Sequence, residues 1–334
     1  MNKPSPLASV GVLPSSNFDL RQARAFVFVA DELHFGRAAA RLFVSQPSIS
    51  RSIRNLEDSL GVTLLERSTR RVRLTVAGDA FAAECRLAFG HLNRAVGAAH
   101  SASEGHEGLL RVGYMDFAVN GRLPNILQDF RAAHPRVAID LQYLPTALQH
   151  AALLDGRIDI GFIIGEFDSP NVVNMLVAQE DFVALLPEHH RLASAQGVRL
   201  SDLGEESFVV GDEASYSSFR TRMFAVCQAA GFFPKIVQQA PNTSGIFGLV
   251  AAGMGVALMG GSARNLLRAG VVVKPLSDVI ETIPTFAAWV SGDTSLVLNR
   301  FTKALMRHMQ TNLLKFASPS KMSSPSSIST KKFP

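Results

Sequence analysis

The sequence predicts an α/β protein with an all-α N-terminal part, and three observations carry the prediction. Up to about Ser101, apolar residues recur at spacings of three and four, the period of helices with one buried face. From Leu109 onward, short apolar runs alternate with amphipathic segments, the signature of strands covered by helices. Between the two patterns, Ser101–Gly108 is small, polar and glycine-containing, and reads as a joint.

The head resolves into three helices. Asp19 with Gln22 three positions on is a capping box, and Ala23, Phe26, Val27 and Ala30 then form one buried stripe. A short second helix fits Arg37–Leu42, with Ala38, Ala39 and Leu42 inward, followed by a tight turn at Phe43 and Val44. Ser45 caps a third helix with Pro47 in its first turn, Ile49, Ile53, Leu56 and Leu60 line its inner face, and Gly61 stops it. Two helices joined by so short a turn make a helix-turn-helix. Its third helix presents Gln46, Pro47, Ser50, Arg51 and Arg54 away from the apolar stripe, side chains suited to base edges and phosphates in a major groove. Arg67, Arg70, Arg71 and Arg73, followed by Leu74 and Thr75, read as a β-turn wing; Arg67 and Arg70 are candidate phosphate contacts.

Thr75 caps a long helix running to about Ser101. Phe81, Cys85, Ala88, Leu92 and Val96 form a narrow seam that suits either a second copy or the helix's own domain. In the body, strands are expected at Leu109–Tyr114, Val137–Leu144 and Ile158–Ile164, with helices at about Leu123–His134 and Thr146–Leu154. A second round follows: strands Phe182–Leu186 and Ser207–Val210, helix Phe219–Ala230, strand Lys235–Gln238, helix Thr243–Ala252 and strand Gly255–Met259. Strands Val271–Pro275 and Thr285–Val290 and the helix Leu296–Leu314 complete it. This alternation predicts a parallel sheet in two lobes, joined near Glu166–Val173 and Leu266–Lys274, with ligands held beyond strand ends at helix N-termini.

Charge separates the parts. Asp19–Arg73 holds ten arginines, no lysine and six acids, whereas the whole chain carries only +5. A basic head suggests a polyanion as partner. The two cysteines, Cys85 and Cys227, make neither a disulfide framework nor a metal-ligand cluster, so a reducing cytoplasm is the expected setting. Met1–Asn17 is interrupted by three prolines and lacks a signal-peptide pattern, and no apolar run approaches the roughly eighteen residues of a membrane span. His189-His190 lies in a loop, Gly253-x-Gly255 stands in the wrong order for a dinucleotide fingerprint, and no nucleophile–base pair is evident. No catalytic residue, metal or cofactor is expected. The tail from Ser318, rich in Ser, Pro and Lys, reads as disordered.

The run Phe35-Gly36-Arg37-Ala38-Ala39-Ala40-Arg41-Leu42-Phe43-Val44-Ser45-Gln46-Pro47-Ser48-Ile49-Ser50-Arg51-Ser52-Ile53, with Leu56-Glu57 and Leu64-Leu65-Glu66-Arg67, closely resembles the LysR-type transcriptional regulators. The one small departure is Gly36, where that family usually places Ser or Thr as a cap. The likeness continues through Leu74-Thr75-x-x-Gly78, Val112-Gly113-Tyr114, His134-Pro135, Leu154-x-Gly156-Arg157-Ile158-Asp159-x-Gly161-Phe162 and Leu249-Val250-Ala251-Ala252-Gly253-x-Gly255-Val256. It implies a winged helix-turn-helix, a linker helix that pairs antiparallel in a homodimer, and a two-lobed, periplasmic-binding-protein-like effector domain. It also implies homotetramers that bridge neighbouring promoter sites on double-stranded DNA, with RNA polymerase as a further partner. The body looks most like the branch controlling aromatic-compound catabolism, whose effectors are aromatic acids or muconate-type dicarboxylates. By position, that resemblance implies a pocket of Asp116, Phe117, Ala118, Thr146, Gln149, Ser217, Ser218 and Phe219. Phe117 stands where a small hydroxyl residue is common, and Asp116 adds negative charge; both argue for a larger, less charged or aromatic ligand.

The resulting reading is a ligand-responsive DNA-binding regulator. Its parts are an extension over 1–17, the winged head over 18–75, the linker and joint over 76–107, the effector domain over 108–316 and a tail over 317–334. Lobe I takes about 108–168 and 271–316, and lobe II about 174–266. The rival reading is a solute-binding or transport protein, since the body alone has that architecture; the attached head and the missing signal pattern weigh against it.

Overall fold

The computed structural model describes residues 18–67, 71–103, 106–266 and 268–317. The chain divides into two compact units, one reaching Val96 and the other comprising nearly all residues from Gly97 onward.

In the first unit, α1 (Leu20–Glu32), α2 (Phe35–Leu42) and α3 (Gln46–Leu60) precede a two-stranded antiparallel wing, β1 (Leu65–Arg67) and β2 (Val72–Leu74). The long helix α4 (Val76–Ser103) follows. The capping box of Asp19 and Gln22 forms in both directions, at 2.8 and 2.9 Å. Phe26, Ala38, Ile53 and Leu56 are fully buried in one core with Leu64 and Leu65, each large side chain contributing about 1.5–3 kcal/mol. α2 starts two residues earlier than its sequence suggests. His34 supplies the cap, its imidazole Nδ1 accepting from the N–H groups of Gly36 and Arg37 at 3.1 and 3.2 Å, so the glycine in the family's cap position has no capping to do.

The second unit is α/β. Its strands are β3 (Gly108–Tyr114), β4 (Val137–Tyr143), β5 (Ile160–Ile164), β6 (Val172–Pro187), β7 (Ser207–Gly211), β8 (Lys235–Ala240), β9 (Ala257–Gly260), β10 (Val271–Pro275) and β11 (Thr282–Val290). Its helices are α5 (Asp116–Asn120), α6 (Leu123–Ala133), α7 (Thr146–Leu154), α8 (Glu213–Ala229), α9 (Thr243–Ala251) and α10 (Leu296–Ala317). The main sheet runs β10-β6-β11-β5-β3-β4, with β9 also on β6, and β7 pairs β8. β3 is parallel to β4 and β5, but β11 runs antiparallel to both β5 and β6. The sheet is therefore mixed rather than parallel, because β11 is the chain's return from lobe II.

The two lobes have separate cores. One gathers Leu110, Val112, Ile126, Phe130, Phe162 and Phe301; the other gathers residues of β6, β7, β9, α8 and α9. The passage between them differs from the sequence expectation. β6 runs unbroken through both, pairing β11 up to Asp181 and then β9 and β10 from Phe182. Val172–Glu180 thus lie with lobe I and Val271–Pro275 with lobe II. The polar stretch Gln179-Glu180-Asp181 masks this continuity in sequence, because strand signals are apolar. Among the described residues, no helix is long and apolar enough to cross a membrane.

Candidate functional site

Helix α3 is built to offer one face. Ser45 Oγ accepts from the Ser48 N–H at 3.3 Å, Pro47 sits in the first turn, and Gly61 closes the helix at φ +66°. Ile49, Ile53 and Leu56 face inward; Gln46, Pro47, Arg51 and Arg54 are exposed, and Ser50 is half-buried. Four other arginines of this unit are committed. Arg37 and Arg41 both pair with Glu32, Arg86 pairs with Asp31, and Arg67 pairs with Glu57 while lying over the Phe35 ring. Among the described residues no acid pairs with Arg51 or Arg54, so their charge is available to an external anion. Arg73 is exposed on the wing; Arg70 lies outside the described residues.

One carboxylate fastens this helix to the wing. Glu57 Oε1 accepts the N–H groups of Leu64 and Leu65 at 2.8 and 3.0 Å, and Oε2 accepts from Arg67. Thr75 Oγ1 closes the far side, donating to the Thr63 carbonyl and accepting from the Gly78 N–H, both at 2.9 Å.

In the α/β unit, the candidate pocket residues fall into two groups. Thr146 and Gln149 face into lobe I. Thr146 Oγ1 accepts from the Ile164 N–H at 3.3 Å, and the fully buried Gln149 donates through Nε2 to the carbonyls of Leu144 and Phe162 at 2.8 and 3.1 Å. Gly113 and Gly161, partners on β3 and β5, leave room for that amide; a Cβ at either would collide with the Gln149 side chain or Ile158. Ser217 and Ser218 are half-buried on α8. Ala118 is buried in the core of lobe I.

The second group converges. Phe117, on α5, packs into the core of lobe II, its ring centroid 5.1 Å from Phe219 and 6.0 Å from Tyr216. Beside it, Asp116 Oδ2 accepts three hydrogen bonds: from the Thr243 N–H and Thr243 Oγ1, both at 2.7 Å, and from the Tyr216 hydroxyl at 2.5 Å. Thr243 is the first residue of α9, whose Asn242 cap already accepts from Gly245. The Asp116 carboxylate therefore satisfies another free N–H of that helix end and lies at the positive pole of its dipole. Tyr143 stands close enough to feel the same charge: burial, then the Asp116 carboxylate, push its hydroxyl up to about 12. Burial first and Asp116 second also raise Tyr216.

A family model described as "Bacterial regulatory helix-turn-helix protein, lysR family" matches residues 20–79, and one described as "LysR substrate binding domain" matches residues 103–310. The chain belongs to the LysR family. It is a DNA-binding transcriptional regulator with an effector-binding domain, not an enzyme. The HTH-type transcriptional regulator AlsR of Bacillus subtilis (strain 168) is 33% identical over 261 residues, 78% of this chain and 86% of AlsR. Full-length CbnR in complex with its target DNA matches with a TM-score of 0.58 and 26% identity, over 87% of this chain and 99% of that one. The effector-binding domain of BenM with its effector benzoate matches with a TM-score of 0.57 and 26% identity, over 64% of this chain and 96% of that one.

Three residues that sequence reading passed over surround Asp116: Tyr143, Tyr216 and Thr243. A signal was available. The chain has only three tyrosines, and the third, Tyr114, stacks edge-on to Tyr143 at 5.7 Å. Two surface cavities lie elsewhere, about 840 Å³ beside α6 and β4 and about 540 Å³ between Arg264 and Val273. Neither is lined by any residue of the candidate pocket. Around Asp116 polar groups converge instead, and a binding site is marked by chemistry as well as volume. Cys85 and Cys227 are buried, and burial pushes their thiols up to about 11 and about 12, the opposite of what a reactive thiolate needs.

Proposed function

We propose that this regulator acts in the cytoplasm as a homodimer or homotetramer on paired promoter half-sites, and that a small aromatic compound or related organic acid bound in the effector domain controls it. The genes it controls are then those for catabolism of such compounds, with RNA polymerase as the partner at the promoter. On DNA, Gln46, Pro47, Ser50, Arg51 and Arg54 read the major groove, while Arg67 and Arg70 serve the wing. The linker helix α4 pairs two copies and sets the half-site spacing.

The observation that carries the ligand class is the aromatic cluster: Phe117, Tyr216 and Phe219 lie together at ring-contact distances beside the Asp116 carboxylate. Aromatic faces offer apolar area and defined edge and face contacts to a ring, and a fixed negative charge disfavours a dianion. BenM, with its effector benzoate, supports the same class by likeness. A ligand can shift the arrangement of the heads only by its difference in affinity between two states. Thermal-shift screening of aromatic acids, neutral aromatics and dicarboxylates on the full chain tests this. An aromatic compound is expected to raise the melting temperature and to change promoter affinity, and Thr146→Ala to weaken both effects. Stabilisation by dicarboxylates alone would overturn the assignment.

A further inference from the structure

Asp116 is joined to lobe II by bonds that span 100 and 127 residues of sequence. Three donors converge on one of its oxygens. Two belong to side chains buried to within a few per cent, Tyr216 and Thr243, and the third is the leading N–H of α9. Such a set of hydroxyls and a helix N–H is what a protein offers to the acid group of a ligand. Here the acid group is on the chain itself. Its neighbours are placed to keep it there. Gly211 makes room for the Tyr216 ring, since a Cβ at that position would overlap it, and α8 departs from helical geometry at Tyr216 itself (φ −115°, ψ 16°). Phe117, the next residue, anchors the same segment among Tyr216 and Phe219.

We propose that Asp116 is a tethered carboxylate that fills an acid-binding position of the effector domain from within, latching α5 to the start of α9 and excluding ligand carboxylates from that place. The proposal rests on the reading of the residues around Asp116 as part of the effector site, and it narrows the ligand. The group that an effector turns toward Asp116 is a neutral or cationic hydrogen-bond donor. An effector that carries an acid keeps it away from Thr243. The receptor is already occupied, and a second carboxylate brought to it would face the like charge of Asp116.

Chemical rescue tests this. Asp116→Ala removes the carboxylate and leaves a space of its size lined by the same donors. In the full chain it is expected to lower the melting temperature of the effector domain by about 4–10 °C. Sodium acetate or formate is expected to restore much of that loss saturably, while acetamide, or sodium chloride at equal ionic strength, restores none. Wild type is expected to be indifferent to all of these. Asp116→Asn keeps the space filled and is expected to lose stability without rescue, which serves if the alanine variant folds poorly. Asp116→Ala combined with Tyr216→Phe is expected to bind acetate at least several-fold more weakly. An alanine variant as stable as wild type, or one blind to acetate, would overturn the latch. Promoter titrations separate this outcome from the broader reading. Rescue by acetate together with ligand responses unaffected by substitution of Phe117 or Phe219 would leave the latch standing and remove this cluster as effector site. Acetate blindness with responses intact would do the reverse.

Discussion

Removing the Glu57 carboxylate probes whether one side chain sets α3 against the wing. Glu57 lies on α3 with its side chain 14% exposed, and it accepts two backbone N–H groups and one guanidinium. In Glu57→Ala, the N–H groups of Leu64 and Leu65 lose their acceptor while both residues remain 2% exposed. An orphaned, poorly solvated N–H costs about 1–3 kcal/mol, so the pair costs about 2–5 kcal/mol after partial hydration. The Arg67 pair adds little, since its guanidinium is partly solvated and also rests on Phe35. Arg67→Ala should therefore cost only about 1 kcal/mol, and Glu57→Gln an intermediate amount, since its carbonyl can still accept while its amide faces Arg67. Because a two-unit chain need not melt in one step, the direct assay is amide hydrogen exchange read at Leu64 and Leu65. Protection at both is expected to fall by two orders of magnitude or more in Glu57→Ala, with the α/β unit unchanged. Unchanged protection, or an equal effect from Arg67→Ala, would show that Glu57 does not hold these two N–H groups.

Other expectations follow from single contacts. His34→Ala should cost about 1 kcal/mol through loss of the α2 cap, seen as faster exchange at Gly36 and Arg37. Gly211→Ala should destabilise the effector domain by about 1–3 kcal/mol by forcing the Tyr216 ring aside, and it should weaken any ligand response with it. Folded protein should react with neither of its cysteines at neutral pH, whereas denatured protein titrates both with a thiol reagent. Because burial favours the neutral thiols, their contribution to stability is complete below the unfolded value near 9 and is lost as pH rises through about 11 and about 12. A melting temperature that rises over that range would contradict this.

Much of the first unit was legible because its determinants are local. Asp19 with Gln22, Ser45 with Pro47, and Gly61 fix helix ends within a few residues, and the inward stripes sit at helical spacing. The start of α2 was less legible, since histidine is an uncommon cap. In the α/β unit, the elements were legible but their pairing less so. α5 has five residues, too few for a period, and Ser217-Ser218 hides that α8 already begins at Glu213. The candidate pocket divides in the same way. Asp116, Phe117 and Phe219 were placed by resemblance and do converge, while Tyr216 and Thr243 meet Asp116 only through tertiary folding. Thr146 and Gln149 carry polar groups that lobe I uses for its own backbone, a demand invisible in one-dimensional sequence.

The proposed reading of DNA by α3 uses Arg51 and Arg54, which no acid of the described residues neutralises. It is measured by a titration of the full chain on its promoter fragment and on unrelated duplex, over a range of salt, for wild type, Arg51→Ala and Arg54→Ala. Wild type should prefer the promoter. A variant that loses a base contact should weaken promoter binding by about 1–3 kcal/mol and narrow that preference. A variant that loses a phosphate contact should weaken both duplexes alike and reduce the salt slope by about one. Wild-type binding that both variants retain unchanged, with the same preference and salt slope, would contradict the account.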